Sequence, residues 1–270
     1  MTGSASPDAP NTGTPHTGAP KTGAPQTGAP NAGAPNANDR DASKRQAAME
    51  AVAMVQDGMV VGLGTGSTAA FAIDGLIARV RDGLRILGIP TSERSARQAR
   101  DGGIPLTDFA SHPQLDLTID GADEIARDSL NLIKGLGGAL LREKIVAAAS
   151  TRLVIVADAP KLVTRLGGTV PVPVEVVAFG WETTAARLAR LGVNPVQRMA
   201  QDGTAFRTDG GNLILDCHVG VIADPVRLEQ DLSATIGVVE TGLFIAMAAT
   251  ALVATPDGLV RLDRPGQPAD

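Results

Sequence analysis

The feature that most constrains the fold is an alternation of short apolar strands with glycine-containing loops and helices. The segment MVVGL at 59–63 has the character of a strand, and glycines then lead into a helical pattern that begins near Ser67. The segment LRILGIP, a helical stretch from Ser92, a strand over 115–120, a helix over 139–149 and the strand LVIVAD continue the rhythm. Strands that alternate with helices form a mostly parallel sheet, so the sequence predicts an α/β, Rossmann-like architecture.

From Pro171 onward the order of the elements changes. Strand VPVEVVA, helix-like ETTAARLARL, strands VQRMA and NLILDCHV, helix-like VRLEQDLSATI and strand GVVE follow in turn. This β-α-β-β-α-β order is typical of a ferredoxin-like α+β unit. We therefore predict a Rossmann-like catalytic domain over 43–170 plus 244–264, and a smaller α+β domain over 171–243.

The N-terminal segment differs in composition from the rest of the chain. Residues 12–36 repeat a five-residue pattern of Gly, Pro, Ala and Thr that contains no Val, Leu, Ile, Met, Phe, Tyr or Trp. Such a segment cannot bury a core, so residues 1–42 are predicted to be a disordered tail. The first helix is then expected to begin with Ser43 as its cap and to stop at Asp57-Gly58.

Composition excludes several classes of partner. The net charge is −5 and the chain has no basic block, which argues against nucleic acid or an anionic membrane as the main partner. The run LFIAMAATALVA is too short to span a membrane. The single Cys217 cannot form an internal disulfide and the N-terminus has no signal-peptide pattern, so a reducing, cytoplasmic location is predicted.

The loop 62–68, GLGTGST, joins a predicted strand to a predicted helix. Backbone amides and hydroxyls at such a helix start can hold a phosphate. The loop has neither the Gly-Lys-Ser/Thr ending of a P-loop nor the third glycine of GxGxxG, and the second strand ends in PTS instead of an acid. A dinucleotide site is therefore disfavoured, and a tight turn that serves packing alone remains the alternative.

A cluster of acids follows the strand 115–120. Apolar and polar residues alternate in LDLTID, which places Asp120 near the carboxyl end of the strand, where open α/β sheets bind ligands. A metal site is disfavoured because no histidine other than His112 lies nearby. For Glu124 a solvated loop position is the favoured interpretation, and it is less favoured for Asp120.

A lone lysine, a glycine run and a helix with an early glutamate come next. Lys134 and the backbone N–H groups that follow it would face an anionic ligand. Ala139, Glu143 and Ala147 share one helical face, so Glu143 projects from a stripe of small residues that a ligand can approach. A snorkelling lysine and an exposed helical charge cluster remain the alternatives.

Two further lysines stand where a phosphate can be met. Lys161 follows LVIVADAP just past a strand end, and Lys44 lies near the start of the first helix. Either can act as a point charge toward a phosphate, with a plain surface position as the alternative. His218 and Cys217 fit structural roles in a strand.

Nine short motifs together carry a family resemblance. They are GLGTGSTA, PTS, IDGADEI, LIKGLGGALLREKIV, VIVAD with its following lysine, PVEV, GNLILD, GVVETGLF and ATPDG. With these motifs in this order, the chain resembles the ribose-5-phosphate isomerase A family from about Lys44 to its end. The resemblance implies an aldose–ketose isomerase of the non-oxidative pentose phosphate pathway that interconverts D-ribose 5-phosphate and D-ribulose 5-phosphate through an enediolate. It also implies that no cofactor or metal takes part and that the chain forms a homodimer or homotetramer.

The resemblance also implies roles for the matching residues. Glu143 would be the general base that moves a proton between C2 and C1, and Asp120 would assist ring opening. Lys134, Asp123 and the amides of Gly135–Gly137 would offset charge on the enediolate oxygens. The substrate-binding set implied in this way is Lys44, Thr65, Gly66, Ser67, Thr68, Asp120, Gly121, Ala122, Asp123, Lys134, Gly135, Leu136, Gly137 and Lys161.

One position departs from the family pattern. The run after the lysine is usually all glycine, whereas Leu136 stands at its second position. If the backbone there requires a positive φ, leucine is strained, and its side chain either crowds the ligand or points away.

Two alternative functions remain open from the sequence. One is a non-catalytic sugar-phosphate sensor, although no helix-turn-helix precedes the domain. The other is a different enzyme of the same architecture, such as an amino-sugar phosphate deaminase or a coenzyme A transferase. A deaminase would need a catalytic histidine, and His112 and His218 are poorly placed for that role.

Overall fold

The secondary structure follows the alternation seen in the sequence. A computed structural model describes residues 37–264 and residue 266. The strands, numbered in chain order, are β1 (Val60–Leu63), β2 (Leu87–Pro90), β3 (Leu117–Asp120), β4 (Glu124–Ala126), β5 (Leu132–Ile133), β6 (Leu153–Asp158), β7 (Leu162–Val163), β8 (Val172–Val176), β9 (Asn194–Gln197), β10 (Leu213–His218), β11 (Val238–Thr241), β12 (Leu243–Phe244), β13 (Ala248–Thr255) and β14 (Gly258–Asp263). The helices are α1 (Ala37–Ala53), α2 (Ser67–Arg81), α3 (Glu93–Gly102), α4 (Leu140–Ala148), α5 (Trp181–Arg190) and α6 (Pro225–Ser233).

Six strands form the main sheet, in the order β14-β13-β6-β3-β1-β2. All neighbours pair in parallel except β13 and β14, which form an antiparallel hairpin at one edge. β13 is buried along almost its whole length, as expected of a strand covered on both faces. The predicted Rossmann-like, mostly parallel sheet is confirmed.

Helices cover the two faces of this sheet. Ala51 of α1 and Leu76 of α2 share a core with Ile119 of β3. On the other face, Val146 of α4 lies beside Thr118 of β3, because a Cβ added at Gly62 would meet both of these side chains. Because side chains alternate along a strand, Asp120 lies on the opposite face from Ile119 and hence on the same side as α4.

The second sheet is antiparallel, in the order β11-β8-β10-β9. Leu188 of α5 and Leu232 of α6 pack in its core. This arrangement confirms the β-α-β-β-α-β prediction. The strand predicted at 196–200 lies earlier, at β9, where Pro195 is tolerated because β9 is an edge strand.

A third sheet, in the order β12-β5-β4-β7, was not predicted. It corrects the interpretation of Glu124, which is fully buried at the start of β4 and is not a solvated loop residue. Its carboxylate accepts hydrogen bonds from the backbone N–H groups of Gly167 (2.6 Å), Thr169 (2.9 Å) and Val170 (3.2 Å). Since buried carboxylates need such partners, Glu124 fixes the loop that follows β7.

The first helix begins earlier than the sequence predicted. α1 starts at Ala37, so residues 37–42 of the predicted tail are helical and Ser43 is not the cap. The last proline of the repeat is Pro35, and neither proline nor glycine occurs again before Gly58, which leaves the helix free to extend. The rest of the predicted tail, residues 1–36, lies outside the described residues.

The described residues from 37 onward group as one compact unit. The division into domains over 43–170 plus 244–264 and over 171–243 therefore stays a prediction. Among the described residues, no helix combines the length and the apolar character that a membrane span requires.

Candidate active site

Three parallel strands of the main sheet bring their carboxyl ends to one edge. β1 leads into Gly64, β3 ends at Asp120 and β6 ends at Asp158. Gly64 packs so closely on β3 that an added Cβ would lie 2.4 Å from an Asp120 carboxylate oxygen. The sheet edge therefore gathers the loops on which the sequence placed a site.

A cavity of about 410 Å³ opens at this edge. Its lining is Lys44, Thr65, Gly66, Ser67, Thr68, Gly121, Ala122, Asp123, Lys134, Gly135, Gly137, Glu143, Asp158, Pro160 and Lys161. Nearly all of the predicted site residues thus meet in one place. Two do not line the cavity: Asp120 lies behind it, and Leu136 points elsewhere.

The centre of the site is a buried cluster of one ammonium and two carboxylates. Lys134 Nζ lies 3.1 Å from Asp120 Oδ2 and 3.3 Å from Glu143 Oε1. It also donates a hydrogen bond to the carbonyl oxygen of Gly121 at 2.5 Å. Lys134 and Asp120 are only 2% and 1% exposed, so Lys134 is neither a snorkelling nor a surface lysine.

Burial dominates the acid–base properties of this cluster. It raises the pKa of Glu143 to about 8, although the Lys134 ammonium acts in the opposite direction and the Asp120 charge adds to the rise. It also raises the pKa of Asp120, against the effects of Lys134 and of the Thr65 N–H. Burial alone would lower the pKa of Lys134, but the surrounding carboxylates outweigh it and raise this pKa, so the ammonium stays charged.

One carboxylate oxygen of Glu143 has no hydrogen-bond partner among the described residues. Glu143 lies in the first turn of α4, is 4% exposed and borders the cavity. Its Oε1 faces Lys134, whereas Oε2 is buried and has no hydrogen-bond partner among the described residues. A buried carboxylate oxygen without a partner, on the wall of a cavity, is available to a ligand.

The glycine loop 135–138 is held by the acids and by its own conformation. Gly135 and Gly138 have φ values of 106° and 81°, which favour glycine. Leu136 is outside the positive-φ residues, its side chain is 39% exposed, and its N–H donates to Asp123 Oδ2 at 2.9 Å. The departure at Leu136 therefore produces no backbone strain, and the side chain points away from the cavity.

The loop 65–68 meets the cavity in a different way from the sequence expectation. The Thr65 hydroxyl lies 2.7 Å from that of Thr91 and 2.8 Å from that of Ser92, and the Thr65 N–H donates to Asp120 at 2.9 Å. Thr65 thus has its polar groups engaged within the protein. Ser67 is exposed and begins α2, so the first N–H groups of this helix remain for an anion.

The two predicted phosphate lysines both border the cavity. Lys161 ends the 3-10 helix Ala159–Lys161 and is half-buried. The side chain of Lys44 is 19% exposed, and its ammonium lies 3.7 Å from Asp41. The Asp41 carboxylate therefore partly neutralises the positive charge of Lys44.

Sequence reasoning missed Asp158 and Pro160, which also border the cavity. The signal for Asp158 was present, because it ends the strand LVIVAD in the same manner as Asp120 ends LDLTID. His112 and His218 do not border the cavity. No group of three or more His, Cys, Asp or Glu side chains within residues 37–264 could hold a metal ion.

This arrangement has a defined chemical capacity. A carboxylate with a pKa raised to about 8 can take a proton and return it near neutral pH. A buried ammonium and free backbone N–H groups beside it can stabilise an oxyanion. The site is thus suited to moving a proton between adjacent carbons of an anionic ligand.

Comparison with known proteins identifies the family. A profile of the family described as ribose 5-phosphate isomerase A (phosphoriboisomerase A) matches residues 87–258. The chain belongs to this family. "Ribose-5-phosphate isomerase A" of Gloeobacter violaceus is 61% identical over 206 residues, which cover 76% of this chain and 89% of that protein. The resemblance drawn from the nine motifs is confirmed.

Solved structures of the ribose 5-phosphate isomerase A family share the fold. The enzyme from Methanocaldococcus jannaschii superposes with a TM-score of 0.80 at 38% identity, and the match covers 83% of this chain and all 100% of that one. A D-ribose-5-phosphate isomerase in complex with phospho-erythronic acid gives a TM-score of 0.80 at 36% identity, with coverage of 83% and 99%.

Proposed function

We propose that this protein is an aldose–ketose isomerase that interconverts D-ribose 5-phosphate and D-ribulose 5-phosphate in the non-oxidative pentose phosphate pathway. Membership of the family and the names of its relatives support this activity. The observation that carries the proposal is the free, buried Oε2 of Glu143 beside Lys134 on the cavity wall.

The proton transfer is assigned to Glu143. In the open-chain aldose, its carboxylate removes the proton from C2, and the electron pair forms the C1–C2 double bond while the carbonyl oxygen O1 gains negative charge. The protonated Glu143 then delivers the proton to C1, O1 is protonated, and O2 loses its proton to become the ketose carbonyl. A raised pKa suits a group that must act first as a base and then as an acid.

The other residues stabilise or orient the substrate. The Lys134 ammonium and the N–H groups of the glycine loop lower the energy of the enediolate. Asp123, which borders the cavity, contacts the sugar hydroxyls, and Asp120 assists ring opening from behind the cavity wall. The start of α2 at Ser67 and Thr68, together with Lys161 and Lys44, binds the phosphate.

The test is turnover of purified protein with ribose 5-phosphate in the presence of EDTA. The parent should form ketose, and Glu143→Gln should lose about 10³-fold in kcat. Glu175→Gln is the matched control, because Glu175 is also buried, at 1% exposure, with a raised pKa, but lies in the second sheet outside the cavity. An inactive parent, or an active Glu143→Gln, would contradict the proposal, and sugar-phosphate binding without turnover would favour a sensor.

We further propose a homodimer or homotetramer, in a cytoplasmic setting. Phe179 and Ile236, 95% and 76% exposed near one end of the second sheet, support an association surface. The solitary buried Cys217 supports a reducing environment. Light scattering of the purified protein measures the oligomeric state, and a monomer at micromolar concentration would contradict the proposed association. Cell fractionation measures the location.

A further inference from the structure

A guanidinium from the second sheet holds the glycine loop of the active site. Arg198 directly follows β9, and its side chain is 12% exposed. Its Nη1 donates hydrogen bonds to the carbonyl oxygens of Gly135 at 2.8 Å and Leu136 at 3.1 Å. The other side of the guanidinium is ion-paired with Asp216, to which Nε donates at 2.9 Å. One arginine thus connects a strand of the second sheet to two peptide groups beside the cavity.

These contacts fix the direction of the loop amides. In a trans peptide the C=O and N–H bonds point in opposite directions. The peptide between Gly135 and Leu136 is held at both ends, because its carbonyl accepts from Arg198 and its N–H donates to Asp123. The next peptide has its Leu136 carbonyl on Arg198, so the Gly137 N–H points away from the guanidinium.

The Gly137 N–H is available to a ligand. No described group accepts a hydrogen bond from it. Gly137 borders the cavity together with Lys134 and Glu143, whereas Arg198 does not. A hydrogen bond to the carbonyl also polarises a peptide group and makes its N–H a stronger donor.

Phe206 supports the same loop from the same side. A Cβ added at Gly138 would lie 2.4 Å from the Phe206 ring, so the ring sits directly against the loop. The Arg198 guanidinium carbon lies 5.8 Å from the centre of that ring. Arg198 is therefore confined by Asp216 and Phe206, and its orientation toward the two carbonyls is well defined.

We propose that Arg198 is a positioning residue for the isomerisation, which aims the Gly137 N–H at the oxygen on which enediolate charge develops. Arg198 does this without contacting the substrate, by holding the Gly135 and Leu136 carbonyls on the far side of the loop. The proposal rests on the isomerase function given above and adds a residue from the second sheet to the requirements of the site.

Three variants test this role through both turnover and binding. Arg198→Met should lower kcat about 10- to 100-fold with KM within about threefold, because the Gly137 N–H is still present but is no longer oriented toward the substrate oxygen. The kcat of Arg198→Lys should lie between that of Arg198→Met and that of the parent, since an ammonium cannot bind both carbonyls and Asp216 in the same fork geometry. Asp216→Asn keeps the guanidinium but loosens it, and should give a smaller loss.

Binding of two probes separates a positioning role from general damage to the fold. Phospho-erythronic acid carries a carboxylate that can take the place of the enediolate oxygens, whereas inorganic phosphate reports only the phosphate region. By calorimetry, Arg198→Met should bind phospho-erythronic acid about tenfold more weakly and inorganic phosphate as the parent does. Arg142→Met is the matched control, because Arg142 pairs with Glu93 at 2.9 Å and Asp209 at 3.6 Å without contacting the glycine loop.

The outcomes distinguish the proposals. An unchanged kcat in Arg198→Met, even with a lower melting temperature, would overturn the positioning role, as would equal weakening of both probes. If Arg198→Met does not fold, the kcat and the probe binding of Arg198→Lys and Asp216→Asn decide whether Arg198 has the positioning role. If the parent itself lacks turnover, the isomerase proposal fails, and the difference between the two probes still decides whether Arg198 orders the loop.

Discussion

The two sides of the cavity hold charge in opposite ways. On the buried side, Lys134, Asp120 and Glu143 are each at most 4% exposed, and the Lys134 ammonium lies 3.1 Å from the Asp120 carboxylate and 3.3 Å from that of Glu143. On the outer side, Ser67 is exposed and Lys161 is half-buried. Charges interact strongly where water is excluded and weakly where it is present. We therefore expect the buried side to control rate and pH dependence, and the outer side to control affinity and salt dependence.

The largest effect should come from Lys134→Met. Loss of the ammonium removes the stabilisation of the enediolate, so kcat should fall about 10²- to 10³-fold in steady-state assays. It also removes the charge that opposes the raised pKa of Glu143, so the activity that remains should require higher pH.

Lys144→Met is the control for this variant. Lys144 is also largely buried and also lies over the Phe244 ring, at 5.1 Å, but it pairs with Glu240 and not with the cavity acids. An equal loss in Lys134→Met and Lys144→Met would contradict the special role of the buried side.

Asp120→Asn should change the pH profile. Burial and the Asp120 charge both raise the pKa of Glu143, which in the parent reaches about 8. Because the base must be ionised, kcat/KM of the parent should rise with pH through this value. Without the Asp120 charge the pKa of Glu143 falls, so the rising limb should move to lower pH by about one unit.

Asp116→Asn removes a carboxylate just before the other end of β3, where Asp116 accepts from the Val60 N–H at 2.8 Å. This control variant should leave unchanged the pH at which kcat/KM rises. A limb that stays in place in Asp120→Asn, or moves upward, would show that Glu143 is not the titrating group.

Lys161→Ala should affect binding on the outer side. We expect KM to rise about tenfold with kcat within about threefold, since one cation near a phosphate is lost and the reacting end is intact. The effect should shrink at high ionic strength, and Lys44→Ala should have less effect because Asp41 already faces that ammonium. Arg165→Ala, an exposed cation four positions on, is the control. A fall in kcat without a change in KM would place the phosphate elsewhere.

Leu136→Gly should have the smallest effect. Its side chain points outward and its backbone is not in the left-handed region, so kcat and KM should stay within about twofold and stability should fall by at most about 1 kcal/mol. Gly138→Ala, by contrast, should be damaging, because φ is 81° and Phe206 occupies the space. A large change in Leu136→Gly would mean that this side chain reaches the ligand after all.

Much of the site was accessible from sequence because it is encoded locally. The alternation in LDLTID placed Asp120 at a strand end, and the early position of Glu143 in α4 gave its face. Parallel strands end at the same edge, so their loops had to converge. By the same logic Asp158, the last residue of β6, also belongs to this edge.

The contacts that were missed join distant parts of the chain. Glu124 looked like a loop residue, yet its partners lie 43 to 46 positions later. Arg198 follows an edge strand, and the carbonyl that it holds lies 63 positions earlier, at Gly135. Neither contact leaves a periodic or compositional signal in the surrounding residues.

The sequence by itself determined the order of the helices and of the strands in the two larger sheets, the family and most of the residues that meet at the sheet edge, because strand and helix periods and glycine loops are local properties. Only the tertiary structure decided how those residues behave. It buried Lys134 and Glu143 and so raised the pKa of Glu143 to about 8, it turned the Thr65 hydroxyl inward, and it brought Arg198 to the glycine loop. The physical reason is that desolvation and hydrogen bonding depend on every element packed around a group, and not on the segment that carries it.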